Sequence, residues 1–372
     1  MNKFCMFVCL LLCQSALFAD DPVITLHTKA ESCPVSFTKP IIAIANDGIL
    51  TLQETEVKTS FDRGKTWTSK PAVPADKFSF AGDLSLVRTS DGTIVCVFCN
   101  GKETKSGGKW GEGKPSDWVM PVYSIFSKDN GATWSEPLLI QRDWVGALRA
   151  MVVLKSGRIV LATMAIVPWH HVIPVYYSDD QGQSWTKTTV VDVENSKIND
   201  HDGALEPKLV QLNDGSIFML IRTTKGTFYK SISTDEGLTW TKPESTGIQN
   251  NNSFGELNRL ADGRLILLWN RDENLPPFNY VPDPNDWIVK DLNYDWLRPR
   301  NILAASFSSD DGKTWTPPVT IASTTPSTSD METWICYPLF FEPEPGVFWI
   351  ATGEPGATGC INVQIKEEDL LK

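Results

Sequence analysis

Five octets, SFDRGKTW (60–67), SKDNGATW (127–134), SDDQGQSW (178–185), STDEGLTW (233–240) and SSDDGKTW (308–315), repeat the pattern S-x-D-x-G-x-[ST]-W along a chain of 372 residues. Repetition of one short motif at blade-like intervals belongs to arrays of similar supersecondary units, so it limits the possible folds more than any other property of the chain. The residue types describe a turn. The Asp carboxylate accepts from nearby backbone N–H groups, the Gly permits positive φ, and the Trp ring covers the turn. Each octet therefore closes a hairpin, and an Asp repeated five times round a ring is structural and not catalytic.

A second turn signal precedes each octet, at Asp47-Gly48, Asp91-Gly92, Ser156-Gly157, Asp214-Gly215 and Asp262-Gly263, with strand-like runs on both sides. A sixth unit, YPLFFEPEPGVFWIATG (337–353), has the same strand, turn, strand form around Pro345-Gly346 but no octet. Six units of two hairpins predict an all-β fold: a single six-bladed β-propeller over residues 20–372, with four-stranded antiparallel blades. The widest Trp-to-Trp intervals, ending at Trp134 and Trp315, predict insertions in blades two and five, at 100–120 and 271–300. The segment VITLHT (23–28) is expected to complete blade six and close the ring.

Residues 1–19 read as a secretory signal, with Lys3 at the positive end, an apolar stretch over 4–12 and the small Ala19 before Asp20. The mature chain is thus expected to be secreted or periplasmic and to keep Cys33, Cys96, Cys99, Cys336 and Cys360. Closing the ring would bring Cys33 near Cys360, and the oxidising compartment favours a disulfide between them. Cys96 and Cys99 sit in the strand-like run TIVCVF, where residues three apart face opposite ways, so they read as buried strand cysteines and not as a zinc or redox pair.

A net charge of −11 disfavours a nucleic-acid partner. No later segment is apolar for long enough to form a transmembrane segment. The four His residues show no metal-ligand spacing, so no metal and no cofactor is expected. The oligomeric state stays open.

In a propeller the two kinds of hairpin turn share one face, which leaves the other connections free to carry chemistry. That second face gathers Thr38, Lys39, Glu54, Glu56, Asp83, Trp110, Trp118, Arg149, Trp169, His170, His171, the run HDGALE (201–206), Arg222, Arg271, Arg300, Tyr337 and Glu354. Six blades converge there on a channel mouth, the expected small-molecule site.

With these octets the chain resembles the sialidase (neuraminidase) superfamily, whose Asp-box, or BNR, repeats have this form. The resemblance covers nearly the whole mature sequence. The run EPKLVQLNDGSIFMLIRTTKG (206–226) is similar to the family segment in which a Glu begins one strand and an Arg ends the next. That match implies that Glu206 draws a proton from the nucleophile and that Arg222 is the second of three substrate-binding arginines. RPRNILAASFSSDDG (298–312) places Arg300, or alternatively Arg298, on the third arginine, and ICYPLFF (335–341) makes Tyr337 the nucleophile.

Tyrosine suits an anomeric carbon that carries a carboxylate, since an anionic Asp or Glu nucleophile would be repelled. Arginines clamp that carboxylate through paired bonds. Two departures stand out. The first arginine of the family is replaced by Thr38, with Lys39 beside it, and Arg149 is another cation able to take over its role. The loop that carries the family's general acid shrinks to QETEV (53–57), so Glu54 or Glu56 is a candidate, as are Asp83 and Asp202 on neighbouring blades.

The resemblance implies an exo-acting glycoside hydrolase on a terminal acidic sugar, with a glycan or glycoconjugate as partner. One alternative is a propeller glycosidase acting on another polysaccharide. The other is a non-catalytic carbohydrate-binding propeller in which Trp110, Trp118 and Trp169 stack on sugars.

Overall fold

Both turn signals form hairpins, so the chain folds as short antiparallel strands laid side by side. The computed structural model describes residues 23–80, 82–105, 118–167, 170–193, 203–271, 300–325, 334–352 and 360–371; the expected signal at 1–19 lies outside them. After β1 (Val23–Leu26) and β2 (Glu31–Ser32), blade one comprises β3 (Ile42–Ile44), β4 (Gly48–Gln53), β5 (Glu56–Ser60) and β6 (Thr68–Pro71). Blade two is β7 (Leu84–Arg88), β8 (Ile94–Cys99), β9 (Val122–Ser127) and β10 (Leu138–Gln141). Blade three is β11 (Ala150–Val153), β12 (Ile159–Ala162), β14 (His170–Ser178) and β15 (Thr186–Val191), with β13 (Ala165–Val167) folded back on β14. Blade four follows with β16 (Leu205–Gln211), β17 (Ile217–Arg222), β18 (Thr227–Ser233) and β19 (Glu244–Gln249). Blade five holds β20 (Glu256–Arg259), β21 (Leu265–Asn270), β22 (Ile302–Ser308) and β23 (Val319–Thr325). Blade six holds β24 (Leu339–Glu344), β25 (Val347–Ala351) and β26 (Asn362–Lys366). Six blades in one ring make a six-bladed β-propeller.

Ring closure differs from the expectation. The segment VITLHT does not complete blade six: β1 pairs with β23 as a fifth, outermost strand of blade five, and the two residues of β2 pair with β26 instead. A turn between them, with the Ala30 N–H donating to the His27 carbonyl at 2.9 Å, carries the chain from one blade to the next. The Cys33 N–H donates to the Asn362 carbonyl at 3.1 Å, yet the expected disulfide between Cys33 and Cys360 is not formed.

The core lies between blades. Six clusters of buried apolar side chains each join two neighbouring sheets, the last through Ile41 and Ile49 of blade one against Trp349 and Ala351 of blade six. Strand β8 shows how sequence produces this. Its residues alternate, so Ile94, Cys96 and Phe98 face blade one while Val95, Val97 and Cys99 face blade three. The two cysteines therefore point opposite ways, and burial pushes both thiols well above their ordinary pKa.

Every octet repeats one bonding scheme. The Ser hydroxyl donates to the Asp carboxylate at 2.8 Å and accepts the Gly N–H, while the backbone N–H four residues beyond the Asp donates to the same carboxylate. Bonds from the Thr66 hydroxyl and N–H, with the Ser60 hydroxyl, hold Asp62 down at about 2. The octets also clamp blade to blade: a Cβ on Gly182, which has φ +83°, would meet Val95 of blade two at 2.7 Å. Trp240 is half-buried against the core between blades three and four, and its indole donates to the Gly237 carbonyl at 3.3 Å. Because the ring keeps some exposure, Trp240→Ala is expected to cost about 3 kcal/mol, the low end for a core aromatic. Chemical denaturation measures the loss, and activity per folded molecule should stay at the wild-type level; an inactive but equally stable variant would contradict a purely structural role.

Candidate functional site

Along the propeller axis lies a cavity of about 400 Å³ lined by the innermost strands of the blades. Thr38, Lys39, Asp83, Arg149 and Tyr337 lie at the ends where those strands begin, on the face opposite the octets. Each is the residue, or nearly the residue, at which a blade's first strand starts, so the alternation of turns and connections delivers all of them to one mouth.

Blade four supplies an acid and a base. Leu205 on β16 pairs with Arg222 on β17, and a bulge between Leu205 and Lys208 turns Glu206 to φ +38°. Neighbours across the sheet, Arg222 and Glu206 form an ion pair at 2.6 Å with side-chain exposures of only 7% and 10%. The approach to β16 needs Gly203: it has φ +101°, bridges to His171, and any Cβ would meet the His171 carbonyl at 2.3 Å.

Blade five brings Arg300, buried just before β22. Its guanidinium lies 4.4 Å from the Trp334 ring and 5.5 Å from the Tyr337 ring. Asn270 donates to the carbonyls of both Arg300 (3.3 Å) and Ile335 (2.7 Å), tying the arginine's backbone to the segment that carries Tyr337. Blade three brings Arg149, whose guanidinium sits 4.9 Å from the centroids of both Tyr337 and Phe254. It grips Asp83 of blade two through two bonds of 2.9 and 3.0 Å.

Tyr337 stands at the centre of these charges with a left-handed backbone, φ +55°. Non-Gly residues in that region cost energy and cluster at functional sites. Burial raises the phenol's pKa above its ordinary value and Glu206 raises it further, while Arg300 and Arg222 oppose them. For Arg149 burial disfavours the charge, but Asp83, Glu206 and Tyr337 together more than offset it and raise the pKa above its ordinary value. Lys39 points its ammonium at the Gly82 carbonyl, 2.6 Å away, and burial lowers its pKa against the pull of Asp83.

The structure thus gathers Tyr337, Glu206, Arg222, Arg300, Arg149, Asp83 and Lys39, and places others elsewhere. Glu54 is exposed at the tight turn between β4 and β5, with φ +56°, and does not line the cavity. Glu56 accepts from the Ser69 hydroxyl on the outermost strand of its blade. His170 and His171 are buried in β14 away from the cavity; His170 bonds Asp192 at 3.1 Å, and the His171 carbonyl accepts the Ala204 N–H. Trp118 is buried edge-on against Trp144, which leaves no open ring face for a sugar there. Asp202, Arg298, Trp110, Trp169 and Glu354 lie outside the described residues.

Sequence reasoning missed Asn252, Phe254 and Trp334. The Asn250-Asn251-Asn252-Ser253 run, four polar residues in the connection from β19 to β20 on the working face, was the available signal for the first.

A family model for the BNR repeat-like domain matches residues 108–350. A sialidase from Clostridium perfringens is 26% identical over 243 residues, which cover 55% of this chain and only 60% of that protein. A protein of unknown function from Dyadobacter fermentans has a similar solved structure, with TM-score 0.59 and 18% identity, covering 93% of this chain and 97% of its own. The NanB sialidase of Streptococcus pneumoniae superposes with TM-score 0.57 and 14% identity over 94% of this chain and 71% of its own. At such identities the solved structures attest the propeller fold.

Proposed function

The chain belongs to the BNR repeat-like domain family within the sialidase superfamily, and on that premise we propose that it is a secreted, exo-acting glycosidase that retains configuration on a terminal acidic sugar. The observation that carries this reading is the convergence of three guanidinium groups and the Glu206 carboxylate on one half-buried tyrosine. Arginines receive the sugar carboxylate through charge-assisted bonds. Glu206 takes the phenolic proton as the Tyr337 oxygen bonds to the anomeric carbon, and the leaving oxygen departs with a proton from a carboxylic acid. Water then attacks the tyrosyl-sugar bond, the same acid group accepts its proton, and Glu206 returns a proton to the phenolate.

Thr38 favours a variation within this reading. It stands where the family resemblance puts the first arginine, and Lys39 beside it is directed to a backbone carbonyl. A substrate whose anion is placed toward Arg149, such as a uronate-containing glycan, suits that arrangement better than a standard sialoside. Loss of one charge-assisted bond corresponds to about 1.5 to 3 kcal/mol, so turnover of a fluorogenic sialoside is expected to fall roughly ten- to hundredfold below that of efficient sialidases. Screening released sugars over a glycan panel identifies the preferred substrate. Efficient sialoside turnover would show that Arg149 or Lys39 fully replaces the first arginine, and release of no sugar from any glycan would leave a binding propeller.

A further inference from the structure

We infer that Asn252 is the positioning residue that sets the spacing of Arg222 and Arg300 and keeps their shared charge positive. The inference rests on the reading of these two arginines as the anion receptor. One residue serves both: the Asn252 side-chain oxygen accepts from Arg222 Nε at 2.9 Å, and its backbone carbonyl accepts from Arg300 Nη2 at 2.8 Å. Side chain and main chain can diverge toward two guanidiniums because Asn252 has φ +51°, a left-handed conformation that Asn tolerates better than most residues.

The turn that holds it is internally braced. The Ser253 N–H donates to Asn250 Oδ1 at 2.9 Å, and the Ser253 hydroxyl donates to Asn270 Oδ1 at 2.7 Å. Asn270 is the side chain that also fixes the backbone at Arg300 and Ile335.

The chemistry of the acceptor matters as much as its position. Arg222 and Arg300 are both buried, and two cations close together in a poorly solvated site repel each other. Two neutral oxygens with partial negative charge offset that repulsion without cancelling the charge. Glu206 already balances one of the two guanidiniums through its ion pair with Arg222, so the group keeps a single net positive charge. An amide at 252 therefore leaves positive charge for an incoming anion, where a carboxylate would neutralise it.

The test reads the arginines themselves. In protein labelled with ¹⁵N-arginine, the Nε–Hε signals of the two residues are assigned with Arg222→Lys and Arg300→Lys. Asn252→Gly keeps the left-handed backbone and the carbonyl but removes the side-chain oxygen. It is expected to speed Arg222 Hε exchange at least tenfold and to leave the Arg300 signal in place. Asn252→Asp is expected to restore slow Arg222 exchange while weakening binding of N-acetylneuraminate and D-glucuronate, titrated at constant ionic strength, at least tenfold. Unchanged Arg222 exchange in Asn252→Gly would overturn the positioning role, and undiminished affinity in Asn252→Asp would overturn the electrostatic one. If neither carboxylate bound the wild-type protein, the anion-receptor reading would fall, while the exchange rates would still decide whether Asn252 positions Arg222.

Discussion

Tyr337→Phe should abolish hydrolysis while leaving folding and ligand binding close to wild type. The substitution removes a single hydroxyl and keeps the ring against which Arg149 (4.9 Å) and Arg300 (5.5 Å) are packed. Its effect is then on bond formation alone. The raised pKa of the phenol means that it does not ionise by itself near neutral pH, so attack on the anomeric carbon needs a base to take the proton as the bond forms. Glu206 is the carboxylate whose charge acts on Tyr337, and Glu206→Gln keeps an oxygen for Arg222 but cannot accept a proton. Each variant is expected to lose about 10² or more in kcat, about 2.7 kcal/mol or more of transition-state stabilisation. The double variant should be little worse than either, because residues that act as a unit are not additive. Single-turnover kinetics on the preferred glycoside gives the numbers, and full activity in Tyr337→Phe would exclude a tyrosyl intermediate.

How much of this was legible depended on the range of the interactions involved. Turns and strand alternation are local, so the octets, the Gly turns and the opposed Cys96 and Cys99 could be read from a few residues each. Edge pairing is not local. Val23–Leu26 would look the same along the outer strand of any blade, and the two-residue β2 carries no periodic signal at all. Within the site, Glu206 and Arg222 come together through adjacent strands of one blade, so a motif spanning them reports their contact. Arg149 and Asp83 meet across two blades, and Asn252 reaches Arg300 across the connection into a third, so no motif encloses either pair. Glu54 shows the reverse case: its position on the correct face was readable, but the tight turn at φ +56° that sends it away from the axis was not.

Asp83→Asn tests which of the remaining carboxyl groups gives the leaving group its proton, and the expected outcome depends on the leaving group. Asp83 lines the same cavity as Tyr337, one blade away from Arg149, whereas Glu54 is exposed and off the cavity. An amide at position 83 still offers an oxygen to Arg149 but has no proton to donate. Glycosides with a sugar or alkyl leaving group, whose oxygen needs protonation, should lose about 10² or more in kcat, within the range for a general acid. A nitrophenyl glycoside, whose leaving oxygen is already stable as an anion, should lose little. For Asp83 to act this way it must first be released by Arg149 and take up a proton from solvent, and the arriving sugar carboxylate is the group able to replace it on the guanidinium fork. Anion binding and acid release would then be coupled, so a neutral sugar would be cleaved poorly even if it fitted the cavity. Glu54→Gln, by the same geometry, should stay near wild type with both kinds of leaving group. Equal losses in Asp83→Asn whatever the leaving group would reduce Asp83 to the residue that holds Arg149 over Tyr337, and a leaving-group-dependent loss in Glu54→Gln would move the acid to blade one.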